Sequence, residues 1–124
     1  MQYNRIVDEI DGIVYATITG EIRLAAILAE MARVSSQPGL FLHLPALIDL
    51  RQATSQMTAD EIFTLTQSIK QNRNLPRGTR RALLVSTELM YGLYRMFEAF
   101  SAGGPMDYRI FESENEARQW LQEI

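Results

Sequence analysis

The chain has 124 residues, 47% of them apolar and 22% charged, with seven Gly and four Pro, the composition of one ordinary globular domain that can bury a core without staples. It has no Cys and a single His, His43, which excludes disulfides, thiolate zinc sites, cysteine nucleophiles and paired-His chemistry. Eleven Arg and one Lys against fifteen acids leave a net charge of −3, which argues against nucleic acid or an anionic membrane surface as the partner.

The first residues carry Asp8, Glu9 and Asp11 and no uninterrupted apolar stretch, so no signal peptide is expected. The longest uncharged run, 34–48, is fifteen residues interrupted by Pro38, Gly39 and Pro45, which no membrane span fits. With the absence of Cys, these features lead us to expect a cytoplasmic protein.

In chain order, 3–9 and 13–19 are β-rich runs around Asp11-Gly12, a pair suited to a tight hairpin turn. Thr19-Gly20 offers an N-cap to a helix over 21–34, with Leu24, Ile27, Leu28 and Met31 on one face and Ala25, Ala29 and Ala32 on a second. A helix apolar on two sides is expected to be buried twice or to meet a partner. Residues 45–51 read as a buried strand leaving the sheet through Asp49 and Arg51. The spacing Thr58-x-x-Glu61 is a capping box that opens a helix with Ile62, Leu65 and Ile69 as its core stripe. A second apolar strand follows at 80–86, then a helix from Thr87-Glu88 with Leu89, Leu93, Met96, Phe97 and Phe100 as its expected core face, closed by Gly103-Gly104-Pro105. A last strand at 107–111 leads through Ser113-x-x-Glu116 into a helix with Ala117, Trp120, Leu121 and Ile124 on one side. The order ββαβαβαβα predicts one α/β domain over 1–124, with a mixed, mostly parallel sheet of about five strands and four helices.

With these elements in place, the chain resembles the SpoIIAA-like group, small α/β proteins related to STAS domains. The resemblance rests on LIDLR at 47–51, YGLYRMFEAF at 91–100 and FESENEARQWL at 111–121, and it spans nearly the whole chain. It implies the anti-sigma-factor-antagonist arrangement of sheet and helices, often a homodimer, and usually no demonstrated activity. The better-understood members carry a phosphorylated Ser in a DSSG motif that is missing here. Thr58, preceded by Thr54 and Ser55, stands nearest to that place, where a phosphate would sit on a helix N-terminus. Related proteins are also linked to lipid-binding CRAL-TRIO domains.

Open parallel sheets usually bind ligands beyond the carboxyl ends of their strands, and those ends here present Asp49, Arg51, Ser86, Thr87 and Glu112. They suit either a small polar ligand or an internal Asp49–Arg51 network. No Gly-rich phosphate loop follows any strand, which excludes the familiar nucleotide sites. Tyr91, Tyr94, Arg95 and Glu98 are expected on the flank of the third helix, where Tyr91 can stack on Arg95 and Tyr94 can bond Glu98, a combination typical of binding surfaces. Gly92 in that helix suggests that something approaches its backbone closely. From Lys70 to Arg81 there are five cations and no acid, leaving −8 on the remainder, and this stretch reads as a solvated basic turn with gatekeeper arginines. The apolar connection GLFLHLP at 39–45 either folds under the first helix or forms a contact patch, and His43 in it has no second ligand for a metal.

The resulting expectation is a non-enzymatic, homodimeric interaction module without cofactor or metal, presenting Asp49, Arg51, Ser86, Tyr91, Tyr94 and Arg95 to a protein partner. The alternative is a module for a small amphipathic or anionic, lipid-like ligand, with Arg51 or Arg95 meeting its charge and an apolar pocket lined by Met and Phe.

Overall fold

The computed structural model describes residues 1–37 and 42–123. Its elements are β1 (Gln2–Val7), β2 (Val14–Ile22), α1 (Leu24–Ser35), β3 (Ala46–Asp49), β4 (Ala53–Ser55), α2 (Ala59–Gln71), β5 (Thr79–Leu84), α3 (Glu88–Ser101), β6 (Met106–Phe111) and α4 (Glu114–Gln122). The sheet runs β1-β2-β3-β5-β6, antiparallel only between β1 and β2, with β4 as a sixth, short strand on β2. Each of the crossovers through α1, α2 and α3 moves the chain in the same direction across the sheet. Right-handed crossovers in one direction put all their helices on one face. α1, α2 and α3 accordingly share a core with Ile18, Leu83 and Ile110. α4 follows the last strand without a crossover and packs on the opposite face, where Ala117, Trp120 and Leu121 meet Leu47, Ala82 and Leu84.

Several details depart from the sequence reading. The hairpin turn is a wider loop in which the amide of Gly12 donates to the Asp8 carbonyl at 2.9 Å, and only Gly12, at φ +72°, takes the left-handed conformation. Thr19-Gly20 is not a helix cap. β2 continues to Ile22, and α1 starts after Arg23 with no side-chain cap, because the second half of β2 finds a partner in the three-residue strand β4. β3 and β4 lie end to end along β2, and Gly20, at φ +84°, sits at their junction, where its amide donates to Gln52 O at 3.3 Å. On α1 the Ala25, Ala29 and Ala32 face is exposed to solvent rather than buried a second time, and Val34 is the buried residue.

The capping signals are borne out at Thr58, whose hydroxyl accepts from Glu61 N at 3.2 Å while the Glu61 carboxylate accepts from Thr58 N at 3.1 Å. Thr87 caps α3 in the same sense, accepting from Met90 N at 3.2 Å. The second capping box expected at Ser113 and Glu116 is half formed, with Ser113 accepting from Glu116 N at 3.3 Å and no return bond from the Glu116 side chain among the described residues. The face of α3 is turned by one residue from expectation. Met90, Tyr94, Phe97 and Ser101 are buried, and Leu89 is 73% exposed. Leu93, Met96 and Phe100 still pack against the core edge, so α3 carries a broad apolar face, and the sequence stripe marks only one side of it.

Gly92 is exposed on α3, and a Cβ built there meets nothing within 4 Å, so no part of the described chain approaches its backbone. Gly92→Ala is therefore expected to stabilise the domain by about 0.5–1 kcal/mol, read as a higher denaturation midpoint at an unchanged slope.

Candidate functional site

At the carboxyl ends of the strands, Arg51 bonds Asp49 three ways. Its backbone N and Nε donate to Oδ1 at 3.0 Å each, and Nη2 donates to Oδ2 at 2.8 Å. Nη2 also reaches Glu114 Oε1 at 3.2 Å, which ties the start of α4 to this corner. Burial pushes the Asp49 carboxyl up, but the Arg51 hydrogen bonds outweigh it and hold the group below the usual carboxylate value. Ser86 Oγ lies 3.5 Å from Arg51 O, at the outer limit of a hydrogen bond. The structure thus brings Asp49, Arg51 and Ser86 together, in a corner whose charges already compensate one another.

The α3 residues split. Arg95 sits 6.0 Å above the Tyr91 ring, as the spacing suggested, and also 3.5 Å from Glu98. Tyr94 is instead 5% exposed and points into the core, and Glu98 accepts from Ile110 N at 2.7 Å rather than bonding Tyr94. His43 is exposed, while Pro38 to Phe41 of the same connection lie outside the described residues. Among the described residues, no cluster of His, Asp and Glu could hold a metal ion. No described helix is long and apolar enough to cross a membrane.

The basic stretch does not stay together. Lys70, Arg73 and Arg77 are exposed. Arg80 lies over Trp120, with its guanidinium 5.0 Å from the ring centroid, and donates from Nη1 to Trp120 O at 2.7 Å and Glu123 at 3.0 Å. Arg81 is 9% exposed. β5 lies between β3 and β6 and is covered on both faces, so successive arginines at its start must point into opposite layers. Arg80 escapes along the end of α4, whereas Arg81 goes under α1, α2 and α3. This corrects the gatekeeper reading, and the two-residue period in RRALLVS was the signal that could have shown it.

Arg81 opens into a cavity of about 130 Å³ between the sheet and α1–α3, walled by Ile18, Met31, Leu65, Leu83, Phe97 and Tyr108 among others. Its Nε donates to Met106 Sδ at 3.1 Å and its Nη2 to Leu42 O at 2.9 Å. Among the described residues no carboxylate lies within ion-pair distance of it, and Pro38 to Phe41 carry none in sequence. Burial pulls its pKa below the usual arginine value. Two more charged groups line the cavity, and both are engaged. Arg5 donates to Tyr3 OH at 2.9 Å, and Glu30 is paired with Arg33. The sequence reading placed the ligand charge at Arg51 or Arg95, but neither lines this cavity, whereas Tyr94 does.

The buried phenols add a pH dependence. Burial pushes Tyr94 up to about 12 and also raises Tyr108, while burial and its hydrogen bond to Asp11 push Tyr15 up to about 12. In the unfolded chain these groups ionise near the ordinary value of about 10. Their contribution is complete below about pH 10 and is lost as pH rises through about 12. Tyr94 alone accounts for on the order of 2–3 kcal/mol. An ultraviolet phenolate titration is expected to show Tyr15, Tyr94 and Tyr108 ionising above the ordinary phenol value.

No family model matches this chain, and no curated protein does. The solved structure of an uncharacterised DUF3478-family protein with a SpoIIAA-like fold from Shewanella loihica PV-4 superposes with a TM-score of 0.55 over 97% of this chain and 92% of that one, at 18% identity. The chain therefore has a SpoIIAA-like fold: a mixed, mostly parallel sheet opened by a β-hairpin and carrying four helices.

Proposed function

We propose that the domain is a binding module that receives a small amphipathic ligand between its sheet and α1–α3, with no chemistry of its own. The observation that supports this reading most is the apolar cavity of about 130 Å³. Concave, mostly apolar pockets with a few polar groups at the wall are the usual form of a small-molecule site. The volume here is close to the roughly 150 Å³ of an engineered apolar cavity that takes up benzene, which sets the scale at one ring or about six carbons. A titration of methyl-labelled protein with 1-hexanol and with hexanoate tests the reading. Saturable shifts concentrated on Ile18, Met31, Leu65 and Leu83 are the expected result, and the absence of saturable shifts with either compound would refute it.

A second reading, a homodimeric or partner-binding module, is supported by the exposed Ala25, Ala29 and Ala32 face of α1 and by Leu89, 73% exposed beside the open backbone of Gly92. Sedimentation equilibrium at micromolar concentration distinguishes it, since a monomer at every concentration removes the self-association version.

A further inference from the structure

We infer that Arg81 is the counter-ion of the ligand, so that the cavity selects an anion, a carboxylate on a short aliphatic chain or a single ring. This deepens the ligand-binding reading above and rests on it.

The argument starts from the cost of the side chain. A guanidinium taken out of water without an opposite charge is among the most expensive groups to bury, and native proteins pair it. Arg81 is 9% exposed, and its two recorded acceptors are a thioether sulfur and a peptide carbonyl, neither of which carries a formal charge. A guanidinium has five N–H donors. Nη1 has no hydrogen-bond partner among the described residues, and no buried side-chain nitrogen or oxygen there is left without a partner. Arg81 itself lines the cavity.

A guanidinium presents its donors as planar N–H forks, the geometry that matches a carboxylate and adds direction to charge. The other charges at the wall sharpen the choice. Arg5 is stacked 5.0 Å over the Tyr3 ring and bonded to its hydroxyl, and Glu30 is neutralised by Arg33. Neither the Tyr3 ring nor its hydroxyl carries a formal charge, so the charge left at the wall is positive, from Arg81 and from Arg5, and it favours an anion over a neutral or cationic ligand. The position is also unusual. Arg81 is paired with Ala46 and Tyr108 near the amino-terminal ends of β3, β5 and β6, so the head group lies at the opposite end of the sheet from Asp49 and Arg51.

The test compares hexanoate with 1-hexanol, which share a chain length and differ in charge, by calorimetric titration at pH 7 on the wild-type chain and on Arg81→Met. Wild-type protein is expected to bind hexanoate about tenfold or more tighter than hexanol. In Arg81→Met the preference is expected to vanish or reverse, with hexanol binding kept. Equal affinities for the two compounds in the wild-type chain would overturn the assignment of Arg81 while leaving the ligand-binding reading in place. Failure of both compounds to bind would remove that reading and this inference with it. If Arg81→Met does not fold, the wild-type comparison decides alone. Arg81→Lys, which keeps the charge and loses the fork, is then expected to retain a reduced preference for hexanoate.

Discussion

Replacing Trp120 with alanine is expected to destabilise the domain by about 3–5 kcal/mol, a large share of the roughly 5–15 kcal/mol that holds a domain of this kind together. The reason lies in the division of labour between the two faces. Three helices cover one side of the sheet, but α4 alone covers the other, and Trp120 is its largest buried side chain, 4% exposed. The indole packs 5.6 Å from the Phe111 ring and is bracketed by the guanidiniums of Arg80 and Arg109, each 5.0 Å from its centroid. Alanine removes the filler of this layer and both cation–π contacts at once, whereas Trp120→Phe keeps a ring for all three neighbours and is expected to cost about half as much or less. Equilibrium unfolding in urea measures both variants. A loss below about 1 kcal/mol for Trp120→Ala would show that α4 is not held through this residue.

The second expected effect runs the other way. Arg81→Met should stabilise the unliganded domain by about 1–3 kcal/mol. Exchanging buried charge for an apolar side chain commonly gains about 1–4 kcal/mol even when the charge was paired. Among the described residues Arg81 has no ion-pair partner, and the desolvation cost of the guanidinium is set against bonds to Leu42 O and Met106 Sδ. Leaving the Leu42 carbonyl unbonded gives back on the order of 1 kcal/mol, which is less than the gain. A structural arginine would give the opposite sign. If Arg81→Met lowers the unfolding free energy by more than about 1 kcal/mol, Arg81 holds the fold and its burial has no bearing on a ligand. A gain in stability joined to a loss of anion binding is the signature of a residue kept for function.

Much of the fold was legible because its signals are local. The capping box at Thr58 and Glu61, the cap at Thr87 and the apolar runs of β3 and β5 each depend on a few adjacent residues, and the structure has them where the sequence put them. β4 was not legible, since three residues carry no period and pair only because β2 is long enough to serve both β3 and β4. The turn of α3 was missed for a related reason. Residues 89, 93, 96 and 100 and residues 90, 94, 97 and 101 both recur at helical spacing, and only the tertiary position of the helix chooses between them.

The candidate site was misplaced for a clearer physical cause. The general rule for open α/β sheets directs attention to the carboxyl ends of the strands, and the residues there, Asp49 and Arg51, do meet, but they satisfy each other and Glu114. The cavity lies toward the other end, under α1, and its one buried cation was counted as part of a surface turn. Tyr94 was placed on the flank of α3 by the same one-residue ambiguity that misplaced Leu89. Seen as a member of a central strand covered on both faces, Arg81 had nowhere to go but inside.

The central claim is that an anionic amphiphile enters this cavity with its carboxylate against Arg81. It is tested most directly by an isotope-filtered NOE spectrum of labelled protein saturated with unlabelled hexanoate. Cross-peaks from the ligand to Leu83, Phe97, Tyr108 and the Arg81 side chain are the expected result. Cross-peaks confined to the Asp49, Arg51 and Ser86 corner, or to exposed residues such as Leu89, would contradict it.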